Sequence, residues 1–202
     1  FMMIFGVNFN LYYLILIKKC KTALKSSELW CYVAIIALSS GLIALNIRSM
    51  YPTFSDTIRH AFFQVSSIIT TTGFSSVDFN LWPEFSKTLL VVLMFVGGCA
   101  GSTAGGLKVS RVMILFKSVG REFHRMLHPR AVRTVKLEGK PLEDKTIWGA
   151  TNYLTLYIIC MLGILLALSV EPFDFTTNFT AVVSCFNNIG PGLNAVGPMG
   201  SF

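Results

Sequence analysis

Two apolar runs constrain this chain more than any other feature, because both are too short to cross a lipid bilayer. Residues 57–69 and 175–186 would form helices of roughly 20 Å, whereas the hydrocarbon core is about 30 Å thick. Glycine-bearing chain follows each run, at residues 70–74 and 187–192. Such irregular backbone is tolerated at membrane depth only where protein buries it or water bathes it. The pattern predicts two re-entrant half-helices followed by extended loops; the alternative is an extracellular loop with an amphipathic surface helix.

Composition places the whole chain in a membrane. Hydrophobic residues make up 53% of the sequence and charged residues 13%, whereas soluble domains carry about 25% charged residues. This apolar bulk excludes a disordered chain, and it argues against nucleic acid as the partner of the net charge of +7. The five cysteines lie in apolar stretches without a CxxC pair, which excludes a disulfide scaffold. We therefore predict an all-α integral membrane protein surrounded by lipid.

Four longer segments are candidates for membrane-crossing helices. They cover residues 1–17, 30–47, 88–116 and 146–170, and a spanning helix needs about 20 apolar residues. The apolar start carries no charged leader before it and no cleavage site after it, so it is not a secretory signal. Neither end of the sequence resembles a natural terminus, which predicts a piece of a longer protein.

The two short runs belong to an internal repeat. When Gly73 is superimposed on Gly190, three identical pairs coincide, namely Phe62 with Phe179, Val65 with Val182 and Ser67 with Ser184. Trp30 and Trp148 begin the preceding spans at closely matched distances from those glycines. Span, polar link, half-helix and glycine loop therefore recur in the same order, as in transporters built from repeated units.

The distribution of basic residues predicts the orientation. Residues 18–25 carry four lysines and no acid, and residues 117–145 carry eight lysines and arginines against four acids. Residues 169–202 contain two acids and no lysine or arginine. Basic loops face the cytoplasm, so both half-helices are expected to enter from outside. Their C-termini, the negative ends of the helix dipoles, then point to mid-membrane, where they suit a dehydrated cation.

Four motifs together resemble the Trk/Ktr/HKT potassium transporters, and in particular their bacterial TrkH branch. They are TTTGF at 70–74, GGCAGSTAGGLKVSR at 97–111, HPRAV at 128–132 and FNNIGPGL at 186–193. The resemblance implies membrane helix–re-entrant pore helix–membrane helix repeats, four in number, around a central pore. It assigns residues 1–19 to the last helix of the second repeat, 30–117 to a complete third repeat, 118–145 to a cytoplasmic basic loop and 146–202 to a partial fourth repeat.

The resemblance also implies the parts of each repeat. They are an outer helix at 30–47, a pore helix at 57–69, a filter at 70–74 and a broken inner helix at 88–117, then an outer helix at 146–170, a pore helix at 175–186 and a filter at 187–192. It further implies potassium uptake across the bacterial plasma membrane by a multi-pass homodimer, with potassium as substrate, no cofactor and no enzymatic reaction. The basic loop would dock a cytoplasmic nucleotide-binding regulator of the RCK type, or contact anionic lipid.

The candidate filter residues are Thr71, Thr72, Gly73 and Phe74, with Asn188, Ile189, Gly190 and Pro191 as their equivalents. Backbone carbonyls can replace the hydration shell of potassium, and glycine permits the left-handed backbone that aims successive carbonyls one way. Threonine hydroxyls add further oxygen ligands. A glycine-terminated helix cap is the ordinary alternative, which the repeat and the resemblance disfavour. The second segment departs from the Thr-Gly-Phe form of the first at Asn188 and Pro191. We therefore expect a filter ring without fourfold symmetry and with looser selectivity than in a tetrameric potassium channel.

A glycine-rich stretch interrupts the span predicted at 88–117. Five glycines in ten residues disfavour a helix, at a cost of about 1 kcal/mol each. The spacing of Gly97, Gly101 and Gly105 also suits a helix-packing face, whereas a phosphate loop is excluded because Leu107 separates glycine from lysine. The resemblance implies an intramembrane gating loop beneath the filter, with the candidate residues Gly97, Gly98, Gly101, Ser102, Thr103, Gly105, Gly106 and Lys108.

Two other functions are open to the residues alone. A broken-helix secondary transporter would bind another cation or a small solute at mid-membrane, but it would line its breaks with charged or polar side chains. An intramembrane hydrolase would use Ser102 as nucleophile and would need a general base, yet the predicted spans contain no histidine, aspartate or glutamate. No metal site is predicted, because His60, His124 and His128 lie apart without ligand spacing.

Overall fold

The computed structural model describes residues 1–128 and 134–200. These residues are predominantly helical, with nine α-helices: α1 Met2–Phe5, α2 Phe9–Leu16, α3 Cys20–Ala23, α4 Ser27–Asn46, α5 Phe54–Ile69, α6 Glu84–Val96, α7 Val109–Leu127, α8 Asp144–Leu168 and α9 Phe175–Phe186. Single 3-10 turns lie at Arg48–Met50, Phe79–Leu81 and Asn194–Val196. A small antiparallel hairpin joins β1 Lys136–Leu137 to β2 Lys140–Pro141. Residues 129–132 of the HPRAV motif lie outside the described residues.

The two short apolar runs form helices near their predicted bounds. α9 covers residues 175–186, and α5 begins slightly earlier than predicted, at Phe54. The Asp174 side chain caps α9 by accepting a hydrogen bond from the Thr177 N–H at 3.2 Å. With 16 and 12 residues, α5 and α9 are roughly 24 Å and 18 Å long, short of the hydrocarbon thickness of about 30 Å.

Two helices are long and apolar enough to cross a membrane among the residues that the structure describes. They are α4 and α8, with mean hydropathies of 1.8 and 1.9. The outward face of α8 is strongly apolar, since Trp148 and Leu166 are 68% and 73% exposed. Such a surface is suited to lipid or to a neighbouring apolar helix, and not to water.

The first residues depart from the prediction. The single helix expected over residues 1–19 is instead divided into α1 and α2, because the Asn8 side chain caps α2 by accepting from the Asn10 N–H at 2.9 Å. Gly6 lies at this break and packs against Tyr32 so closely that a Cβ would lie 2.2 Å from the tyrosine hydroxyl. Since residues 1–17 carry no charge, hydropathy alone does not reveal the break.

The span predicted over residues 88–117 is two helices, α6 and α7, separated by residues 97–108, which contain no helix. α7 continues to Leu127, so the first part of the basic loop expected over residues 118–145 is helical. The hairpin of residues 136–141 occupies a later part of that loop. α7 extends into the predicted loop because its sequence is strongly amphipathic, with basic residues on one face and apolar residues on the other.

The core forms around α4, which packs against α5, α6 and α7. Its buried side chains meet those of α5, α6 and α9 in one cluster that includes Tyr32, Ile36, Val65, Ile69, Leu90, Met94 and Val183. At the far end of α4, the buried Ser86 hydroxyl donates to Asn46 Oδ1 at 2.7 Å. This packing holds the C-terminal ends of α5 and α9 close to the glycine-rich residues between α6 and α7.

Candidate functional site

The first candidate filter segment, residues 70–74, turns back along α5 where that helix ends. The Thr72 N–H donates to the Ser67 carbonyl at 2.9 Å, and the Ser67 hydroxyl donates to the Phe74 carbonyl at 2.5 Å. Thr71 and Gly73 both have positive φ, of 53° and 77°. The Phe74 carbonyl therefore faces α5.

The second candidate filter segment, residues 187–192, has the same local geometry at equivalent positions. The Ile189 N–H donates to the Ser184 carbonyl at 2.9 Å, as Thr72 does to Ser67 in the first segment. Asn188 has a φ of 58°, close to that of its equivalent Thr71, and Gly190 also has positive φ. Here the Ser184 hydroxyl accepts from the Gly190 N–H at 3.0 Å. Ser67 and Ser184, which are identical in the repeat, thus both hydrogen-bond to the segment that follows their helix.

The two segments lie against each other. A Cβ placed on Gly73 would lie 2.0 Å from the Ile189 carbonyl oxygen, a distance that no real side chain tolerates. Glycine is therefore required at residue 73 both by its positive φ and by this close approach. In the described part of the chain, no N–H or O–H donates to the carbonyls of Thr71, Thr72 or Gly73, or to those of residues 188–190. These oxygens are available to another partner.

The glycine-rich loop, defined as residues 97–108, touches both candidate filter segments. The Gly105 N–H donates to Thr71 Oγ1 at 2.8 Å. On its other side, a Cβ on Gly105 would lie 2.1 Å from the Asn187 carbonyl oxygen. Asn187 is itself held by the Tyr157 hydroxyl, which donates to its Oδ1 at 2.8 Å. The loop is thus wedged between the inner ends of the two segments.

The base of the loop is closed by hydrogen bonds between its two ends. The N–H groups of Leu107 and Lys108 donate to the carbonyls of Phe95 and Val96, each at 3.0 Å, and Val109 donates to Gly98 at 2.9 Å. The Lys108 ammonium donates to the Ser102 carbonyl at 3.4 Å and to the Ala104 carbonyl. The candidate residue Lys108 therefore binds carbonyls within the loop, and the loop is a compact unit.

The break between α1 and α2 receives the outer side of the loop. The Cys99 N–H donates to the Gly6 carbonyl at 2.9 Å, and the Phe9 N–H donates to the Gly101 carbonyl at 3.0 Å. Thr103 Oγ1 donates to the Phe5 carbonyl at 3.3 Å. The loop and the break between α1 and α2 therefore supply hydrogen-bond partners for each other's backbone groups. These groups lack partners of their own because neither segment is a regular helix.

Glu28 is the residue of this region that the sequence analysis missed. The predicted span began at residue 30, but α4 begins at Ser27 and includes Glu28, which is buried. The expectation that the spans lack an acidic residue is therefore wrong. Its Oε1 accepts hydrogen bonds from the N–H groups of Ala100 at 2.7 Å and Ser110 at 3.1 Å. A glutamate in the first turn after a capping serine such as Ser26 is typical of a helix start. This sequence signal could have placed Glu28 within the helix.

Ser102 is not arranged as a nucleophile. Its hydroxyl donates to the Cys99 carbonyl at 2.6 Å, and Glu28 binds the neighbouring backbone without contacting it. No group of three or more histidine, cysteine, aspartate or glutamate side chains suited to a metal ion is found within residues 1–128 and 134–200. The chemistry that this region offers is that of neutral oxygen ligands and a hydrogen-bonded loop.

Comparisons with known proteins identify the family of the chain. A family model for TrkH, described as a cation transport protein, matches residues 2–198. The Trk system potassium uptake protein TrkH of Escherichia coli strain K12 is 34% identical over 199 residues, which cover 97% of this chain and 41% of that protein. TrkH of Vibrio parahaemolyticus is 41% identical over 150 residues, which cover 72% of this chain and 30% of that protein.

A solved structure shares the fold. The crystal structure of the potassium transporter TrkH from Vibrio parahaemolyticus superposes with a TM-score of 0.91 at 32% identity, and it covers all of this chain and 44% of that one. The chain thus spans less than half the length of these relatives. The resemblance seen in the motifs is confirmed, as is the helical membrane-transporter fold that it implied. The chain belongs to the TrkH family of cation transport proteins.

Proposed function

We propose that this chain forms part of a pore for potassium uptake, in which the two candidate filter segments supply backbone oxygens to a dehydrated ion. The observation that carries the proposal is the set of unpaired carbonyls at residues 71–73 and 188–190, in segments that meet at Gly73 and Ile189. Unpaired carbonyls cost free energy unless water or an ion binds them. Rings of such oxygens replace the hydration shell of a monovalent cation.

The chemistry of the two segments favours a monovalent cation over other cargo. Neither segment contains an aspartate or glutamate, the ligands that divalent cations prefer. Both follow the C-terminal ends of α5 and α9, where helix dipoles are negative. The relatives are named potassium uptake proteins, and potassium is the cargo that we propose here.

We further propose that the glycine-rich loop is a gate. Its support is the position of Gly105, which binds Thr71 and abuts Asn187 at the inner ends of both segments. The loop consists mainly of small residues, so it can move aside at low steric cost. No bond-making step is assigned to any residue of this region, so we propose a transporter and not an enzyme.

The cytoplasmic surface is proposed to bind a regulator. A cavity of about 270 Å³ lies between α7 and the chain before β1, and it is lined by Lys117, Gly120, Arg121, Thr134, Val135 and Lys136. Its basic character suits an acidic surface of a nucleotide-binding partner of the RCK type, or anionic lipid. A homodimer in the bacterial inner membrane completes the proposal, on the strength of the family resemblance.

Isotope flux tests the proposed function. The native full-length protein, reconstituted in lipid vesicles, is expected to carry potassium and rubidium faster than sodium, because the carbonyl sites suit the larger ions. Empty vesicles and vesicles with a heat-inactivated sample are the controls. Flux of a small organic solute without potassium flux would favour the secondary transporter instead.

Labelling of single cysteines tests the orientation. In a background without the five natural cysteines, Leu81→Cys and Glu171→Cys are expected to react with an impermeant thiol reagent added outside. Lys136→Cys and Lys140→Cys are expected to react only once the cytoplasm is opened, because basic loops face inward. All four side chains are exposed. The reverse pattern would invert the proposed topology.

Asp174 is avoided as a labelling site because it caps α9. Its carboxylate accepts hydrogen bonds from Thr177 and from Asn194 Nδ2, the latter at 2.8 Å. The Thr177 and Asn194 side chains lower the pKa of Asp174, so it is ionised at neutral pH and suits the positive N-terminus of α9. A cysteine there would disturb the helix whose orientation is being measured.

A further inference from the structure

We propose that Glu28 is the latch that holds the glycine-rich loop in its closed position. The proposal deepens the gating function proposed above and rests on it. In this view α4 fixes the loop through one carboxylate, and opening requires that this carboxylate release the backbone groups it binds. Glu28 lies outside every motif that carried the family resemblance.

One carboxylate oxygen of Glu28 connects α4, the glycine-rich loop and α7. Its Oε1 accepts from the Ala100 N–H within the loop and from the Ser110 N–H in the first turn of α7. Only 7% of the Glu28 surface is exposed. A single buried oxygen thus ties α4 to the loop and to the helix that follows the loop.

Elementary electrostatics makes these two bonds stronger than the other hydrogen bonds that join the loop to neighbouring helices. Ser110 is one of the residues whose N–H has no partner within its own helix, and it lies at the positive end of the α7 dipole. Ala100 lies in irregular chain. Bonds from such N–H groups to a carboxylate are roughly twice as strong as neutral ones. Removing the carboxylate leaves two donors without their acceptor, which is costly where they are shielded from water.

The remaining contacts of the loop with neighbouring helices are neutral. Gly105 binds a threonine hydroxyl, and Cys99, Gly101 and Thr103 bind backbone groups of residues 5–9. Lys108 binds carbonyls inside the loop and so moves with it. Among the residues that the structure describes, Glu28 is therefore the one charged side chain outside residues 97–111 that bonds to the loop, and its loss should affect closure most.

Flux measurements with Glu28→Ala and Glu28→Gln test the latch in the native full-length protein. Glu28→Ala removes the acceptor of two charge-assisted hydrogen bonds. Because the loss of one such bond corresponds to a factor of about ten, basal potassium flux is expected to rise at least tenfold. Glu28→Gln keeps an oxygen acceptor without the charge, so we expect a smaller rise, of about threefold. The ratio of potassium to sodium flux should stay at the parental value, because the filter segments are untouched.

The accessibility of the loop supplies a readout that altered stability alone would not mimic. Ala104 is buried in the closed loop. In a cysteine-free protein, Ala104→Cys is expected to react slowly with a thiol reagent from the cytoplasmic side. Adding Glu28→Ala should raise that rate roughly in proportion to the flux. Each labelling rate is compared with the flux of the same protein, so the readout is the change that Glu28→Ala causes in the Ala104→Cys protein, and an unchanged labelling rate would reject the latch.

Ser26→Ala is the matched control. Ser26 lies in the same turn and is equally buried, and its hydroxyl accepts from the Leu29 N–H and donates to Glu138 without touching the loop. The Ser26→Ala variant weakens the start of α4 without removing a contact to the loop. We therefore expect its potassium flux and its Ala104→Cys labelling rate to equal those of the parent protein. Equal increases in Ser26→Ala and Glu28→Ala would reduce Glu28 to a part of the helix start and overturn the latch.

Two comparisons separate failure of the latch from failure of the gate. Parental flux in Glu28→Ala, together with raised flux in a protein lacking residues 100–104, would overturn the latch and keep the gate. Parental flux in both would overturn the gate and the latch together. Should Glu28→Ala not reach the membrane, Glu28→Gln decides, since it is nearly isosteric, and parental flux and labelling there would reject the latch.

Discussion

Gly73→Ser in the native full-length protein is expected to lower potassium flux by roughly tenfold and to reduce the preference for potassium over sodium. The serine Cβ would lie 2.0 Å from the Ile189 carbonyl oxygen, so one of the two candidate filter segments must move. The φ of 77° at this residue adds strain, and a strained backbone conformation costs on the order of 1–3 kcal/mol. Relief of the clash and of the strain would turn carbonyls away from the ion. Isotope fluxes of potassium and sodium measure both effects.

Gly190→Ser and Gly163→Ser are the graded controls. Gly190 has a φ of 119°, but the atom nearest to a Cβ at this residue would be the Gly73 Cα at 3.9 Å, so this variant carries backbone strain without the clash. Gly163 lies within α8 with no atom in reach, and serine there should leave both fluxes unchanged. We expect the effect to fall from Gly73 through Gly190 to Gly163. A well-expressed Gly73→Ser with parental fluxes would remove Gly73 from the filter.

The half-helices could be predicted because their signals are local. α9 covers the predicted residues, since Asp174 is a strong helix cap and Asn187 follows the last apolar residue. The repeat between Ser67 and Ser184 was visible as residue identity, and the structure gives it a physical meaning. Both serines are bound through their carbonyls by the equivalent N–H of the following segment.

The break at residues 6–8 was not predicted, because the capping residue Asn8 is only one of its causes and the contacts that hold the break in place are distant in sequence. Nothing in an uncharged apolar segment marks Gly6 as a bend. The Gly6 carbonyl binds Cys99 and the Phe9 N–H binds Gly101, so the break depends on a loop that lies far along the chain. Local propensity yields to such tertiary contacts.

Glu28 was missed for a different reason. The predicted span is the uncharged stretch over residues 30–47, so a charged residue that precedes this stretch lies outside the prediction. Its burial depends on the backbone of Ala100 and Ser110, which provide two donors inside the protein. A single sequence does not show such donors, because every backbone N–H has the same sequence signature. The location of buried carboxylates is a property of the packed structure.

Deleting residues 100–104 is expected to raise basal potassium flux by at least tenfold without changing the preference between potassium and sodium. The deletion removes the Ala100 N–H that binds Glu28 and the two carbonyls that bind Lys108. The loss of the Ala100 bond frees the shortened loop from α4, and the loss of the Lys108 bonds removes the contacts that make the loop compact. The candidate filter segments keep their own hydrogen bonds to Ser67 and Ser184. Regulation by a cytoplasmic partner should weaken in the same protein, because the element that it would control is missing.

Gly105→Ala tests the same gate without shortening the chain. A Cβ at this residue would lie 2.1 Å from the Asn187 carbonyl oxygen, so the loop and the second filter segment must separate. We expect this separation to raise flux, as in the deletion. Gly163→Ala, in α8 with open space around it, is the matched control and should conduct like the parent. If the deletion and Gly105→Ala both reach the membrane and yet conduct and respond like the parent, the glycines serve only to pack helices together.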